Sequence, residues 1–149
     1  MATRKGAAEK DLSKAEHVRK LLDAAGASGP KGPYVAYFFF FNRQQFYEAH
    51  DILESLWLTE RKGPDNEFYK ALIQLAGAFV HLQKGRMKPG AALFKLSGSY
   101  LEKYPARHLG LNIAAVLRLI DAWVLRLQTS PGENNFDLST VSLKLESCD

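Results

Sequence analysis

Residues 41–57 read FNRQQFYEAHDILESLW. They set Glu48, His50, Asp51, Glu54 and Trp57 on one predicted helix, where most of this chain's unusual polar chemistry is concentrated. At 100° per residue, Phe46, Ala49, Leu53, Leu56 and Trp57 share one side, with Ile52 at its edge. His50 and Glu54 fall together on the opposite rim, one turn apart. Tyr47 and Asp51 lie further round, and Glu48 points almost away. An imidazole and a carboxylate at i, i+4 can supply two ligands to one metal ion, or can face a neighbouring helix as a hydrogen-bonding pair. A catalytic zinc takes three protein ligands, so the pair is incomplete by itself.

The partner that must position this pair comes next in the chain. Residues 68–85, FYKALIQLAGAFVHLQKG, are apolar nearly all round a helix, which is the pattern of a central, well-covered element. The exceptions form one stripe: Lys70, Gln74, Gly77 and His81. Gly63-Pro64-Asp65 makes a tight turn between the two helices, so they should be antiparallel neighbours, with Asp65 capping the second. A turn centred near Lys62 sets His50 level with Gln74 and Glu54 level with Lys70. His81 then lies level with Arg43, about 10 Å along the axis from Gln74. In that register His50 bonds Glu54 or Gln74 and Lys70 pairs with Glu54, a polar network that fixes two greasy helices against each other. The same register makes His81 too distant to be a third ligand. His50, Glu54, Gln74 and Trp57 could also border a small-molecule or partner pocket. His81, Trp57 and Trp123 read first as core residues, and His17 and His108 fall in segments expected to be exposed.

The supporting elements follow from periodicity and capping. Residues 1–8 read as disordered, and 10–25 as a first helix stopped by Gly26. A Gly/Pro linker, 27–33, separates it from the main body. YVAYFFFF (34–41) fits extended chain by its aromatic and β-branched content, or a helix packed by its phenylalanines. Asn42 is a suitable N-cap, with Gln45 completing a capping box and Phe41 and Phe46 a hydrophobic staple. The 68–85 helix stops at Gly85. Residues 86–90 read as a basic loop and 91–104 as a helix ended by Pro105. Asn112 caps a last helix, 113–128. Pro131-Gly132 breaks the chain, and 136–145 can lie extended over the bundle. The expected fold is thus all-α: about five helices around a central helical hairpin. It divides into an N-terminal helix and linker (1–33), a bundle core (34–128) and a C-terminal tail (129–149).

Composition bounds the function classes. A chain of 149 residues fits one domain with a real core. A net charge of +4 is a solvated surface rather than a nucleic-acid footprint, which would show a clustered basic face with stacking aromatics. The nearest approach to one is Lys84, Arg86, Lys88 and Lys95, a minor reading. The lone cysteine, Cys148, excludes an intramolecular disulfide and agrees with a reducing cytoplasm. The first residues carry no apolar signal-peptide region, and the aromatic run 34–41 is too short to span a bilayer. No nucleophile elbow, P-loop, GxGxxG or CxxC is present.

Two stretches, 41–57 and 68–85, carry a resemblance to the family called Domain of Unknown Function 309, small all-helical proteins of bacteria and archaea. GAALFKL (90–96), YLEKYP (100–105) and GLN (110–112) follow in that family's order. The resemblance covers roughly residues 38–128 and implies an all-α fold. It points to Glu48, His50, Asp51, Glu54, Trp57, Gln74 and His81 as motif positions. Gln44 stands where the pattern often has glycine, Ala71 replaces a glycine before the LIQ run, and Arg86 stands where asparagine is usual. The family label implies no reaction.

The expectation from sequence is a non-catalytic domain that binds a small molecule or a protein, with no cofactor. The alternative is a metal-dependent hydrolase with His50 and Glu54 as ligands and Asp51 or Glu48 assisting. Unassigned apolar sides of the 68–85 helix leave room for a homodimer.

Overall fold

The computed structural model describes residues 2–130, 132 and 136–146. Among these, six helices follow in order: α1 (Ala2–Ala25), α2 (Gly32–Phe41), α3 (Phe46–Thr59), α4 (Asn66–Gln83), α5 (Met87–Leu101) and α6 (Ile113–Thr129). Between α5 and α6, β1 (Arg107–His108) pairs antiparallel with β2 (Leu111–Asn112). The fold is all-α, as the apolar periodicity predicts.

Helix α4 is the axis of the bundle. It packs against α3 on one side and α5 on the other, while α2 lies along α3 and α6 along α5. The aromatic rings show how completely α4 is enclosed. Phe79 lies 5.6 Å from Phe41 of α2, 4.9 Å from Phe46 of α3, 5.0 Å from Phe94 of α5 and 5.6 Å from Trp123 of α6, ring centre to ring centre. Three of these contacts are edge-on, the arrangement that the ring quadrupole favours. Two buried hydroxyls also reach the α4 backbone: Tyr37 Oη donates to Leu72 O (2.7 Å) and Ser97 Oγ to Ala71 O (2.7 Å).

Residues 34–41, compatible with either strand or helix on composition, are helical. Pro33 fits the first turn, where its missing N–H is not needed. Tyr34, Tyr37, Phe38, Phe40 and Phe41 are buried, so tertiary packing outweighs the strand preference of the aromatics.

Several boundaries differ from the sequence expectation. Helix α1 begins at Ala2 rather than near residue 10, because ATRKGAAEKD is rich in strong helix formers. Met1 and Cys148 lie outside the described residues. Helix α5 begins at Met87, and Pro89 is accommodated in its first turn, so 86–90 is not a loop. It ends at Leu101, four residues before Pro105. Asp65 occupies the N-cap position of α4 but makes no capping bond with its side chain. Gly85, at φ +72°, does stop α4, and Asn112 Oδ1 does cap α6 by accepting from Ala115 N (3.0 Å).

Asn42 is the largest correction. It caps the C-terminus of α2, and α3 begins only at Phe46, with Gln45 at its N-cap making no side-chain bond. The turn between them needs a left-handed residue, supplied by Gln44 at φ +60°. The Asn42 amide is used elsewhere. Its Nδ2 donates to Leu143 O (2.8 Å) and its Oδ1 accepts from Leu143 N (2.7 Å). Gln44 Nε2 adds a bond to Val141 O (3.1 Å). These bonds hold the tail across the bundle, with Phe136, Leu138, Val141 and Leu143 buried and Phe136 edge-on to Trp123.

Asn42→Ala should therefore cost about 1–3 kcal/mol, the range for stranding a partly buried backbone pair. Urea unfolding measures the loss, and amide exchange should quicken at Leu143. Unchanged protection at Leu143 would mean that apolar burial alone holds the tail.

Candidate functional site

The side of α4 that no helix covers carries Ile73, Gln74, Gly77, Val80 and His81. Helix α3 flanks it with Tyr47 and His50, and α5 with Leu93. Together they enclose an open-mouthed cavity of about 240 Å³. The floor and α5 wall are apolar (Ile73, Gly77, Val80, Leu93), and the polar groups are His50, Gln74 and His81. Tyr47, 58% exposed, lies over the His50 ring at 6.4 Å, nearly parallel to it.

Gly77 sits where α4 and α5 approach closely. A Cβ there would come within 3.2 Å of Leu93 Cδ1, so a side chain at this position would push Leu93 aside. The missing side chain also keeps the middle of the floor low.

Two of the lining side chains each carry an enclosed polar atom. Gln74 Oε1 and His81 Nδ1 are buried and have no hydrogen-bond partner. A buried polar atom without a partner costs about 1–3 kcal/mol, and native proteins hold few of them. His81 has its pKa lowered from the ordinary value of 6.5. Desolvation is the main cause, and the positive charges of Arg86 and Lys84 add to it. The ring is therefore neutral at pH 7, although it stands in the last turn of a helix, where the dipole favours a cation.

Behind the cavity rim, Asp51 joins two imidazoles. Its Oδ1 lies 3.2 Å from His50 Nδ1 and its Oδ2 3.2 Å from His17 Nε2. Glu54 Oε2 is 3.8 Å from His50 Nε2, an ion-pair distance rather than a hydrogen bond. Asp51 thereby orients the His50 ring and ties α1 to α3.

Sequence reasoning brought some of these residues together correctly and others not. His50 and Gln74 do border one cavity, as the hairpin register requires. Gln74 is not part of a hydrogen-bonded network with His50 and Glu54, however, since its Oε1 is unpartnered. Lys70 does not pair with Glu54; its Nζ lies over the Tyr100 ring at 5.1 Å, because α5 offers an aromatic face closer to its tip. His81, placed out of reach by its axial offset, borders the same cavity, because the cavity runs about two turns along α4. Neither Glu54 nor Trp57 lines it. Trp57 Nε1 donates to Asn66 Oδ1 (3.1 Å), and Arg61 lies over its ring. Glu48, in the first turn of α3, makes no ion pair among the described residues. The metal expectation lacks a donor set: among the described residues no three His, Cys, Asp or Glu side chains converge to hold an ion.

Two histidines set aside as exposed have partners. His17 reaches Asp51, and His108 Nε2 lies 2.6 Å from Asp65 Oδ1, with its ring edge-on to Phe68 at 4.9 Å. Asp65 is thus drawn off the helix cap by an imidazole. The sequence signal for this pair would have been the β-turn at 107–112, which returns the chain toward the start of α4.

The turn at Gln44 and the paired motifs on α3 and α4 bear directly on kinship. Residues 34–93 match the family model described as Domain of unknown function (DUF309). The resemblance to DUF309 holds. The matched segment contains α3, α4 and every residue that lines the cavity. An uncharacterized protein of Aquifex aeolicus (strain VF5) is 27% identical over 108 residues, which is 72% of this chain. The match covers only 32% of that relative's length. No solved structure matches the chain. No described helix is long and apolar enough to cross a membrane.

The lowered pKa of His81 makes a pH prediction. Well above pH 6.5 the ring is neutral in both folded and unfolded chains, and stability is full. As pH falls through 6.5, the unfolded chain takes up a proton that the folded protein resists, so stability declines toward the lowered folded pKa. His81→Gln should flatten this decline in urea unfolding between pH 7 and 5. By NMR the His81 ring should titrate below 6.5; titration at or above that value would contradict the desolvation argument.

Proposed function

We propose that this chain is a non-catalytic binding domain whose site is the α3–α4–α5 cavity, and that its ligand is a small molecule. The observation that carries this is the coincidence, on one recess, of an apolar floor with the side chains of His50, Gln74 and His81 on its lining. An apolar recess with a few convergent polar groups is the usual form of a small-molecule site, and this one is somewhat smaller than a drug-sized pocket.

The catalytic alternative has less support. His50 Nδ1 is engaged by Asp51, and only Glu54 stands near Nε2. A hydrolytic metal held there needs a third protein donor. The described residues converge no third His, Cys, Asp or Glu on that pair. His50 serves the binding reading as a rim residue, its ring fixed by Asp51 and covered by Tyr47.

A screen of single-ring compounds, neutral, cationic and anionic, followed by amide shifts of the labelled protein, tests the proposal. At least one compound should shift residues 73–81 together with His50 and Leu93. Val80→Phe, which fills the cavity from α4, should abolish those shifts while leaving the rest of the spectrum intact. Leu93→Phe should do the same from α5. Should every compound leave the cavity amides unmoved, or act only elsewhere, the proposal fails.

A further inference from the structure

The charge around the recess narrows the ligand class, on the premise that the recess binds a small molecule. Residues 68–101 supply its α4 floor and its α5 wall, and they hold five Lys/Arg with no Asp or Glu. Two of the five, Lys84 and Arg86, flank the His81 end. Their backbone amides both donate to His81 O (3.0 and 2.8 Å), and their positive charges reach the His81 ring. Both side chains are exposed, and among the described residues neither forms an ion pair. The nearby carboxylates belong to α3. Asp51 and Glu54 lie 3.2 and 3.8 Å from the ring nitrogens of His50, which the antiparallel hairpin sets toward the Gln74 end. The recess is therefore polarised along α4, with engaged carboxylates behind one end and free cations beside the other.

The lining adds donors rather than acceptors. Gln74 Oε1 and His81 Nδ1 are enclosed, so what these half-buried side chains offer a ligand is their other atoms. For Gln74 that is the amide nitrogen, which only donates. For His81 it is the ring edge that carries Nε2. A proton on the enclosed Nδ1 would be an orphaned N–H, the rarer kind of unsatisfied group, so the neutral ring holds its proton on Nε2. Two N–H donors thus stand about 10 Å apart along the axis. Between them lie Gly77 and the apolar side chains of Ile73, Val80 and Leu93.

We infer that the recess takes an organic monocarboxylate built on one apolar ring. The carboxylate sits at the His81 end, where it accepts from Nε2 beside Lys84 and Arg86. The ring lies over Gly77, against Ile73, Val80 and Leu93. The mouth is open, so the carboxylate keeps part of its hydration and avoids the cost of a fully buried charge. A cationic ring would meet two donors and the repulsion of Lys84 and Arg86. At roughly 30 Å³ per water, 240 Å³ is room for about eight waters, which is about the size of benzoate.

The probes are benzoate, uncharged benzamide and cationic benzylamine, three rings of similar size at pH 7. Each is titrated into the full chain and followed by amide shifts at residues 73–81 and 93. Benzoate should bind saturably at these residues, with benzamide weaker by about fivefold and benzylamine weaker again. The double variant Lys84→Gln/Arg86→Gln alters only exposed side chains. It should bring benzoate down to the affinity of benzamide and leave benzamide unchanged. Raising salt from about 50 mM to about 500 mM should do the same by screening. His81→Phe, which removes the donor, should weaken benzoate by about tenfold. If benzamide or benzylamine binds as well as benzoate, or the double variant leaves benzoate unchanged, the ligand class is wrong and the recess remains a binding site. The class is equally wrong if benzoate shifts only residues 84–88 and leaves 73–81 and 93 unmoved while another ring compound enters. If no ring compound enters, the inference and the binding reading fail together.

Discussion

Burial of α4 is the constraint on which the rest of the molecule depends. Phe79 meets rings from four other helices, and its neighbours Phe68, Leu72, Leu75 and Ala76 are fully buried. Aromatic burial of this extent is the largest apolar contribution available to a chain of this size. A helix enclosed in this way has one strip left outside the core on which polar side chains can sit. That strip carries Lys70, Gln74, Gly77 and His81. The site and the core are therefore two faces of one packing solution: the helices that enclose Phe79 also form the walls of the cavity.

The same logic explains the turn before α3. Phe41 and Phe46 both contact Phe79, and their rings lie 5.0 Å apart. Four residues must reverse the chain between them, which forces Gln44 to φ +60°. A residue with a Cβ in this region carries a penalty of roughly 1–2 kcal/mol, which glycine avoids. Glycine at this position would meet that backbone requirement without the penalty. Gln44 recovers part of the difference through its side-chain bonds to Asn42 O and Val141 O. The tail is thus fastened at a place where the backbone is already distorted.

How far the sequence was legible depended on whether the signal was local. Helix periodicity, the Gly85 stop, the Asn112 cap and the antiparallel α3–α4 hairpin all follow from residues near one another in the chain, and all are present. The stripe on α4 was visible because a polar residue on an apolar helix has few places to go. The assignments of Asn42, Asp65 and His108 failed for one shared reason. Asn42 and Asp65 are good caps locally, but each is taken by a group distant in sequence: Leu143 for Asn42, and His108 for Asp65. Local capping rules count the bonds a side chain can make, not the competitors that the fold brings to it. His81 is no third ligand to the His50 and Glu54 pair, as its axial offset requires, yet it borders the same elongated cavity as His50.

That distinction bears on what the polar residues of α3 and α4 do. A converging set of carboxylates and imidazoles concentrates charge and suits a metal or proton transfer. Here the carboxylates lie outside the cavity lining and are engaged by bases: Asp51 by His17 and the rim residue His50, Asp65 by His108, Glu67 by Lys103. The lining retains a neutral imidazole and a carboxamide whose buried atoms lack partners. Structural polar groups in a core are retained when they bond one another, because a half-satisfied network is less stable than an apolar one. Replacing Gln74 and His81 with methionine and phenylalanine would remove the penalty and fill the space. Gln74 and His81 instead border an open recess beside Gly77, an arrangement of neutral polar groups on an apolar floor that suits the binding of a small molecule better than metal or proton-transfer chemistry.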